Sequence, residues 1–142
     1  MKYHFKVHKE KKGYWAEGVE ITYAHTQGDT LAELQFNMQE VLELCLDEPE
    51  DSKLVLPMPD PKIKGKNIVE VAVSPNMALA MLLRRQRMMA RMSQRAAAEK
   101  LGIKHLSQYQ RLESGKTNPE LGTLVKIKGM FPGLSIDAVL TQ

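Results

Sequence analysis

Residues 93–120 of the 142-residue chain read SQRAAAEKLGIKHLSQYQRLESGKTNPE and decide the fold of its C-terminal half. Ala97 and Ala98 are small enough for two helices to approach closely, and Gly102 permits a sharp turn after the first helix. Tyr109 and Leu112 then give the second helix an apolar inner side. This spacing predicts a helix-turn-helix whose second helix leaves its outer polar side chains free for a major groove.

The surrounding sequence is strongly basic. Nine cationic residues stand between positions 84 and 116 against only Glu99 and Glu113: Arg84, Arg85, Arg87, Arg91, Arg95, Lys100, Lys104, Arg111 and Lys116. Such a density of charge can neutralise several DNA phosphates. A solvated helical face explains the charge equally well, so the spacing of apolar residues is what favours DNA binding.

The order of short motifs resembles the Cro and phage-repressor (XRE) class. These motifs are Ser-Gln at 93–94, Leu-Gly-Ile at 101–103, Arg-Leu-Glu-Ser-Gly at 111–115 and Asn-Pro at 118–119. The resemblance implies a five-helix domain in which Gln94 contacts phosphate and early positions of the third helix read bases. The stretch from Gly102 to Glu113 is one residue longer than is usual in that class, so the base-reading set stays open among His105, Ser107, Gln108 and Arg111.

Side-chain chemistry supports these roles, since Arg can bond a guanine edge and Gln an adenine edge. Lys116 and Thr117 suit phosphate contacts, which position a protein without specifying sequence. The full predicted DNA-binding set is Gln94, Arg95, Lys104, His105, Ser107, Gln108, Arg111, Lys116 and Thr117.

The remainder of the C-terminal half is predicted to be helical. Pro75 suits a first helical turn, and Asn118 and Ser135 are expected N-caps. The predicted helices span residues 76–91, 94–101, 105–114, 119–127 and 136–140. Five methionines crowd the first of them, where core filling or a dimer seam is expected: Met77, Met81, Met88, Met89 and Met92.

The N-terminal half has a different pattern. Strands are predicted at 3–7, 14–19, 22–25 and 68–73, with His4, Lys6 and His8 on the polar face of the first. Thr30 and Glu33 have the spacing of a capping box and open a predicted helix over 31–46. The order is therefore β-β-β-α-β, which gives an α+β protein with one domain at 1–74 and a helical domain at 75–142.

The two halves also differ in charge. Residues 1–74 hold 9 basic and 13 acidic residues, a net −4, and residues 75–142 hold 11 and 4, a net +7. Opposite signs suggest two kinds of partner. The single cysteine, Cys45, cannot form an internal disulfide, and neither a secretion signal nor a membrane-spanning run is recognisable. The expected compartment is the reducing cytoplasm.

The segment HTQGDTLAEL at 25–34, with its preceding hairpin and its following helix, resembles the HicB antitoxin family. Ala24-His25 stands where that family has Gly-Cys. The resemblance implies a partial ribonuclease H-like fold that binds HicA, a small basic RNA-cleaving toxin. Glu40, Glu43 and Asp47 are the predicted toxin-binding residues, because an acidic surface complements a basic partner.

No enzymatic motif is recognisable, and the first strand holds no carboxylate for Mg²⁺. The sequence thus predicts a non-enzymatic antitoxin that represses its own operon as a homodimer or tetramer, with no cofactor or metal. One alternative is a helix-turn-helix repressor whose first domain senses a small ligand, and another is a nuclease.

Overall fold

The computed structural model describes residues 1–141, so Gln142, the last residue of the predicted second domain, lies outside the described part. The chain divides into two compact units. The first comprises Met1–Leu46 and Leu56–Val73, and the second comprises Asp47–Val55 and Ser74–Thr141. The elements are β1 (Lys2–Lys9), β2 (Tyr14–Gly18), β3 (His25–Gly28), α1 (Leu31–Leu46), β4 (Ile68–Ala72), α2 (Pro75–Met89), α3 (Gln94–Lys100), α4 (Leu106–Glu113), α5 (Leu121–Met130) and α6 (Ile136–Leu140).

The first unit is an antiparallel sheet covered by one helix, in the predicted β-β-β-α-β order. The strands lie in the order β3-β2-β1-β4, and Phe5 of β1 is opposite Gly18 on β2 and Val69 on β4. Tyr3 and Phe5 are buried on one face because alternate residues of a strand point the same way. Helix α1 packs on the sheet and buries its apolar side: Leu34, Met38, Leu42 and Leu46.

The start of α1 confirms Thr30 as the cap but departs from the predicted capping box in its second bond, which Glu33 makes to the residue before Thr30. Thr30 Oγ1 accepts a hydrogen bond from the backbone N–H of Glu33 at 3.1 Å, and the Glu33 carboxylate accepts one from the Asp29 N–H at 3.1 Å. A Cβ on Gly28 would lie 2.6 Å from the backbone nitrogen of Leu34. Only glycine therefore lets β3 pass so closely beneath the first turn of α1.

The third strand lies later in the chain than predicted. Residues 22–25 were expected to form it, whereas β3 spans His25–Gly28. The Gly18 N–H bonds the Ala24 carbonyl at 2.8 Å and the Ala24 N–H bonds the Ile21 carbonyl at 3.0 Å. These bonds close a turn ahead of β3, and the pairing that follows sets Gly28 opposite Tyr14.

The prediction that His4 lies on a solvent face was wrong. Its side chain is only 4% exposed, whereas Lys6 on the same strand is exposed. Glu20, in the turn after β2, covers His4: its Oε1 lies 2.7 Å from His4 Nδ1, and its Oε2 accepts from the His4 N–H at 2.9 Å. A loop residue thus buries a polar side chain that strand alternation alone would leave in water.

The second unit is helical. Pro75 occupies the first turn of α2, as predicted, and α2 packs against both α4 and α6. Met77 and Met81 are buried in its core, whereas Met89 is 63% exposed. Methionine therefore fills part of the core of this unit, one of the two roles expected for it.

One predicted N-cap is right and the other is wrong. Ser135 Oγ accepts from the Ala138 N–H at 3.1 Å and caps α6. Helix α5 was expected to begin at Pro119 with Asn118 as its cap, but it begins at Leu121 after Glu120. The Thr123 and Leu124 N–H groups both bond the carbonyl of Glu120, which sets the first turn after the proline.

Candidate nucleic-acid interface

The turn between α3 and α4 has the predicted form. Gly102 has φ +72°, a left-handed conformation that favours glycine. Ala97 and Ala98 of α3 are buried, and α3 packs against α4. Ser93 Oγ caps α3 by accepting from the Ala96 N–H at 3.0 Å. Gly102 therefore separates two short helices that pack on each other, the arrangement on which the DNA-binding prediction depends.

Helix α4 has two chemically distinct faces. Its inner face buries Tyr109, Leu112 and Glu113. Its outer face, defined here as Ser107, Gln108 and Arg111, is exposed and lies on the opposite side because these positions are three and four residues apart. All three belong to the predicted base-reading set. The fourth member, His105, is exposed at the N-cap position of α4.

A buried ion pair joins the inner face of α4 to α2. Arg87 of α2 donates from Nε to Glu113 Oε2 at 2.6 Å and from Nη2 to Glu113 Oε1 at 3.0 Å. Its Nη1 donates to the Met92 carbonyl at 2.8 Å. Burial opposes the charge on Arg87, but its bonds to Glu113 and the charge of that carboxylate raise the pKa of the guanidinium. Burial raises the pKa of Tyr109, and the charge of Glu113 raises it further.

Gln94 extends this network from α3 to α4. Its amide nitrogen donates to Glu113 Oε1 at 3.5 Å, and its oxygen accepts from Gln110 Nε2 at 3.2 Å. Both ends of the amide therefore bond protein groups that hold the two helices together. The predicted phosphate contact of Gln94 stays a prediction, and the structure gives this residue a second role in positioning α4.

A hydrogen bond joins the loop after α4 to the outer face of that helix. Arg111 Nη2 donates to the backbone carbonyl of Lys116 at 3.1 Å. Gln108, Arg111 and Thr117 line one open groove of about 330 Å³, and the Lys116 side chain is exposed. The structure thus brings predicted base-reading and phosphate-binding residues to adjoining positions.

The remaining predicted residues lie at the turn. Arg95 and Lys104 line a small cleft of about 60 Å³ together with Glu99, and both side chains are exposed. Sequence reasoning missed Lys126 on α5, whose Nζ lies 4.0 Å from the position that a Cβ on Gly102 would take. No sequence pattern joins Lys126 to the turn, because it is the packing of α5 that places it there.

Part of the cationic set predicted from the sequence is buried. Arg84 and Arg87 are each 7% exposed, so neither guanidinium faces solvent as a phosphate contact would require. Both bond groups of the second unit instead. Of the nine cations between positions 84 and 116, six are exposed, and they lie on α3, on α4 and in the adjoining turns: Arg91, Arg95, Lys100, Lys104, Arg111 and Lys116.

A family model described as Helix-turn-helix matches residues 83–132, which include α3, α4 and α5. A search of curated proteins found no match to the chain. The match and the packing of α3 on α4 confirm the predicted XRE-type helix-turn-helix. They place the chain in the class of DNA-binding transcription regulators. Within residues 1–141, no helix is long and apolar enough to cross a membrane.

Proposed function

We propose that this protein represses its own operon and is also the antitoxin of a small, basic, RNA-cleaving toxin of the HicA kind. The observation that carries the repressor part is the exposure of Ser107, Gln108 and Arg111 on a helix whose opposite side is buried. Arg and Gln are the side chains that read guanine and adenine edges. Such side chains, exposed on a helix whose buried side is fixed by the Arg87–Glu113 pair, suit a major groove.

The proposed DNA target is a pseudo-palindromic operator bound by a homodimer or a tetramer. Two-fold symmetry of the protein places two copies of α4 in half-sites about one helical turn apart. Footprinting on DNA upstream of the gene tests this proposal. We expect two protected stretches related by inverted symmetry, whereas a single asymmetric footprint would contradict a symmetric dimer.

The antitoxin part rests on the first unit. Its β-β-β-α-β order and the turn at Gly28 that leads into α1 support the proposal of a HicB-like, partial ribonuclease H-like module. Phe36, Glu40 and Leu44 follow one another at intervals of one helical turn on α1, and all three are exposed. This stripe combines apolar area with negative charge, which suits a basic protein partner.

The three predicted toxin-binding residues occupy different places. Glu40 is exposed on α1, Glu43 is half-buried on the same helix, and Asp47 belongs to the second unit. We therefore base the proposed toxin contact on Glu40 and its two apolar neighbours in the stripe. Catalysis is not part of the proposal, because β1 carries no carboxylate. The proposed site of action is the cytoplasm.

Co-expression with the adjacent small open reading frame tests the antitoxin part. We expect a basic protein of under about 80 residues, toxic when expressed alone, to co-purify with the wild-type chain. Glu40→Lys should weaken the complex because it sets a positive charge against a basic partner. Glu10→Lys, an exposed residue of the β1–β2 turn with the same change of charge, is the matched control. Equal effects of the two variants would contradict the proposed surface, and a first unit that binds only a small molecule would favour a ligand-sensing repressor.

A further inference from the structure

Residues 47–55, DEPEDSKLV, form a segment that we call the acidic strap. The strap carries four carboxylates and one lysine, a net charge of −3. It follows α1 in the chain, yet it belongs to the second unit. Sequence reasoning assigned it to the first domain, because nothing in its composition indicates what it packs against.

Arg84 holds the strap against α2. Its Nη1 donates to the Leu54 carbonyl at 2.7 Å and its Nη2 donates to the Ser52 carbonyl at 2.8 Å. The side chain of Arg84 is buried, so these bonds are shielded from competing water. Within the strap, the Ser52 N–H bonds the Pro49 carbonyl at 3.0 Å, which closes a turn. A buried cation thus anchors one end of an acidic segment.

The anchored strap lies beside the DNA-facing helix. Asp47, Glu48 and Glu50 line an open groove of about 500 Å³ whose other wall is formed by Ser107, Gln110, Arg111, Ser114 and Lys116. Positions 107, 110, 111 and 114 are three and four residues apart, so they form one stripe along α4. The strap therefore runs along the flank of α4 and places its carboxylates near two cations of the predicted DNA contact.

The strap carboxylates share a groove with Arg111 and Lys116 but form no ion pair with them. In the part of the chain that the structure describes, no ion pair of 4.0 Å or less joins the strap to Arg111 or Lys116. Charges that line one groove still interact, since the screening length at physiological salt is about 8 Å. A DNA backbone entering the groove would meet negative charge there, and like charges repel.

We infer that the acidic strap is an autoinhibitory element that competes with DNA phosphates for the flank of α4. This inference rests on the proposed DNA-binding surface and adds a regulatory contact to it. Full DNA affinity requires the strap to leave the groove. Arg84 sets how readily it leaves, because the two carbonyl bonds must break first.

Two variants of the full chain separate this inference from a simple effect of net charge. Arg84→Lys keeps the charge but cannot bond both carbonyls with the same geometry, so it should loosen the strap and raise DNA affinity several-fold. Asp47→Asn/Glu48→Gln/Glu50→Gln keeps the strap in place but removes its repulsion. It should raise affinity for a random-sequence duplex about tenfold at low salt, if each exposed charge contributes about 0.5 kcal/mol. The gain should shrink at about 200 mM salt.

The control is Glu10→Gln/Asp29→Asn/Glu70→Gln, which makes the same change of charge at exposed positions of the first unit. Anisotropy titrations of a labelled random-sequence duplex measure affinity, and hydrogen exchange at the Ser52 and Leu54 amides reports whether DNA displaces the strap. If the strap triple variant gains no more affinity than the control, the inference is overturned, even where Arg84→Lys fails to fold. If no form of the protein binds any duplex, the proposed DNA-binding function fails with it.

Discussion

Arg87 on α2 and Glu113 at the end of α4 form a buried, two-bonded ion pair directly beneath the outer face of α4. From the sequence alone, Arg87 counts as one of the cations available to DNA, and Glu113 counts as a solvent-exposed acid. The pair joins α4 to α2, and Arg87 also bonds the Met92 carbonyl ahead of α3. We therefore expect the stability of the second unit and the proposed DNA reading by α4 to depend on the same contact.

Glu113→Ala should destabilise the second unit by about 3–5 kcal/mol, because it leaves the charge of Arg87 buried without its partner. Urea unfolding followed by helical circular dichroism measures the loss. The double variant Arg87→Met/Glu113→Leu fills the same space with apolar side chains and should recover most of the stability. A loss of less than about 1 kcal/mol for Glu113→Ala would contradict a structural role for the pair.

Arg111 and Lys116 should differ in what they contribute to DNA binding. Arg111→Ala should cost about 1–3 kcal/mol of operator affinity, with a smaller effect on random duplex, because a guanidinium can read a guanine edge. Lys116→Ala should weaken both duplexes alike and reduce the salt slope by about one. Gel shifts on the two duplexes at several salt concentrations distinguish these patterns.

The matched control for both variants is Lys64→Ala, an exposed lysine of the first unit. Arg111 also bonds the Lys116 carbonyl, so its loss should loosen the loop and cause part of the effect on random duplex. Equal losses for Arg111→Ala and Lys116→Ala on both duplexes would refute the division into reading and positioning roles.

Local pattern predicted the helices and most strands because their determinants are close in sequence. Thr30 and Glu33 cap α1 three residues apart, and Gly102 ends α3 through its own backbone. The prediction of a strand at 22–25 was wrong because β3 starts at His25, where it begins to pair with Glu17 of β2. Local propensity carries no information about such a partner.

The candidate site was predictable only in its exposed part. Ser107, Gln108 and Arg111 follow from helical periodicity, since burial of Tyr109 and Leu112 fixes the opposite face. The burial of Arg84 depends on carbonyl groups thirty and more residues earlier in the chain. From sequence alone, an arginine on a helix is predicted to be exposed, because its hydrogen-bond acceptors are known only from the tertiary structure.

Gly102 and Gly115 make a matched pair for testing backbone constraints. Their φ angles are +72° and +71°, so alanine at either should cost about 1–2 kcal/mol from the left-handed conformation alone. A Cβ on Gly102 would meet nothing nearer than 4.0 Å, whereas one on Gly115 would lie 3.1 Å from the Cα of Met77. Gly115→Ala should therefore be more destabilising by circular dichroism, and a larger loss for Gly102→Ala would show that crowding is not the deciding factor.

Glu20 should stabilise the first unit much more than its neighbour Glu17. Glu20 accepts hydrogen bonds from the His4 N–H and the Asp60 N–H and lies 2.7 Å from His4 Nδ1. Glu20→Ala leaves the buried His4 groups without this acceptor and should cost about 2–3 kcal/mol, whereas Glu20→Gln keeps one oxygen acceptor and should cost less. Glu17 lies 3.4 Å from His8 Nε2 in a partly exposed pair, so Glu17→Ala should cost under about 1 kcal/mol.

Trp15 provides the measurement, because it is the single tryptophan and lies on β2. Its fluorescence during urea unfolding reports the first unit without interference from the helical one. Glu17 lies on the same strand as Trp15, so Glu17→Ala can change the fluorescence of the folded protein. The folded-state signal of each variant is therefore fitted separately before the unfolding midpoints are compared. Similar midpoints for Glu20→Ala and Glu17→Ala would mean that water replaces the Glu20 carboxylate at His4, and the burial of that pair would then contribute little to the fold.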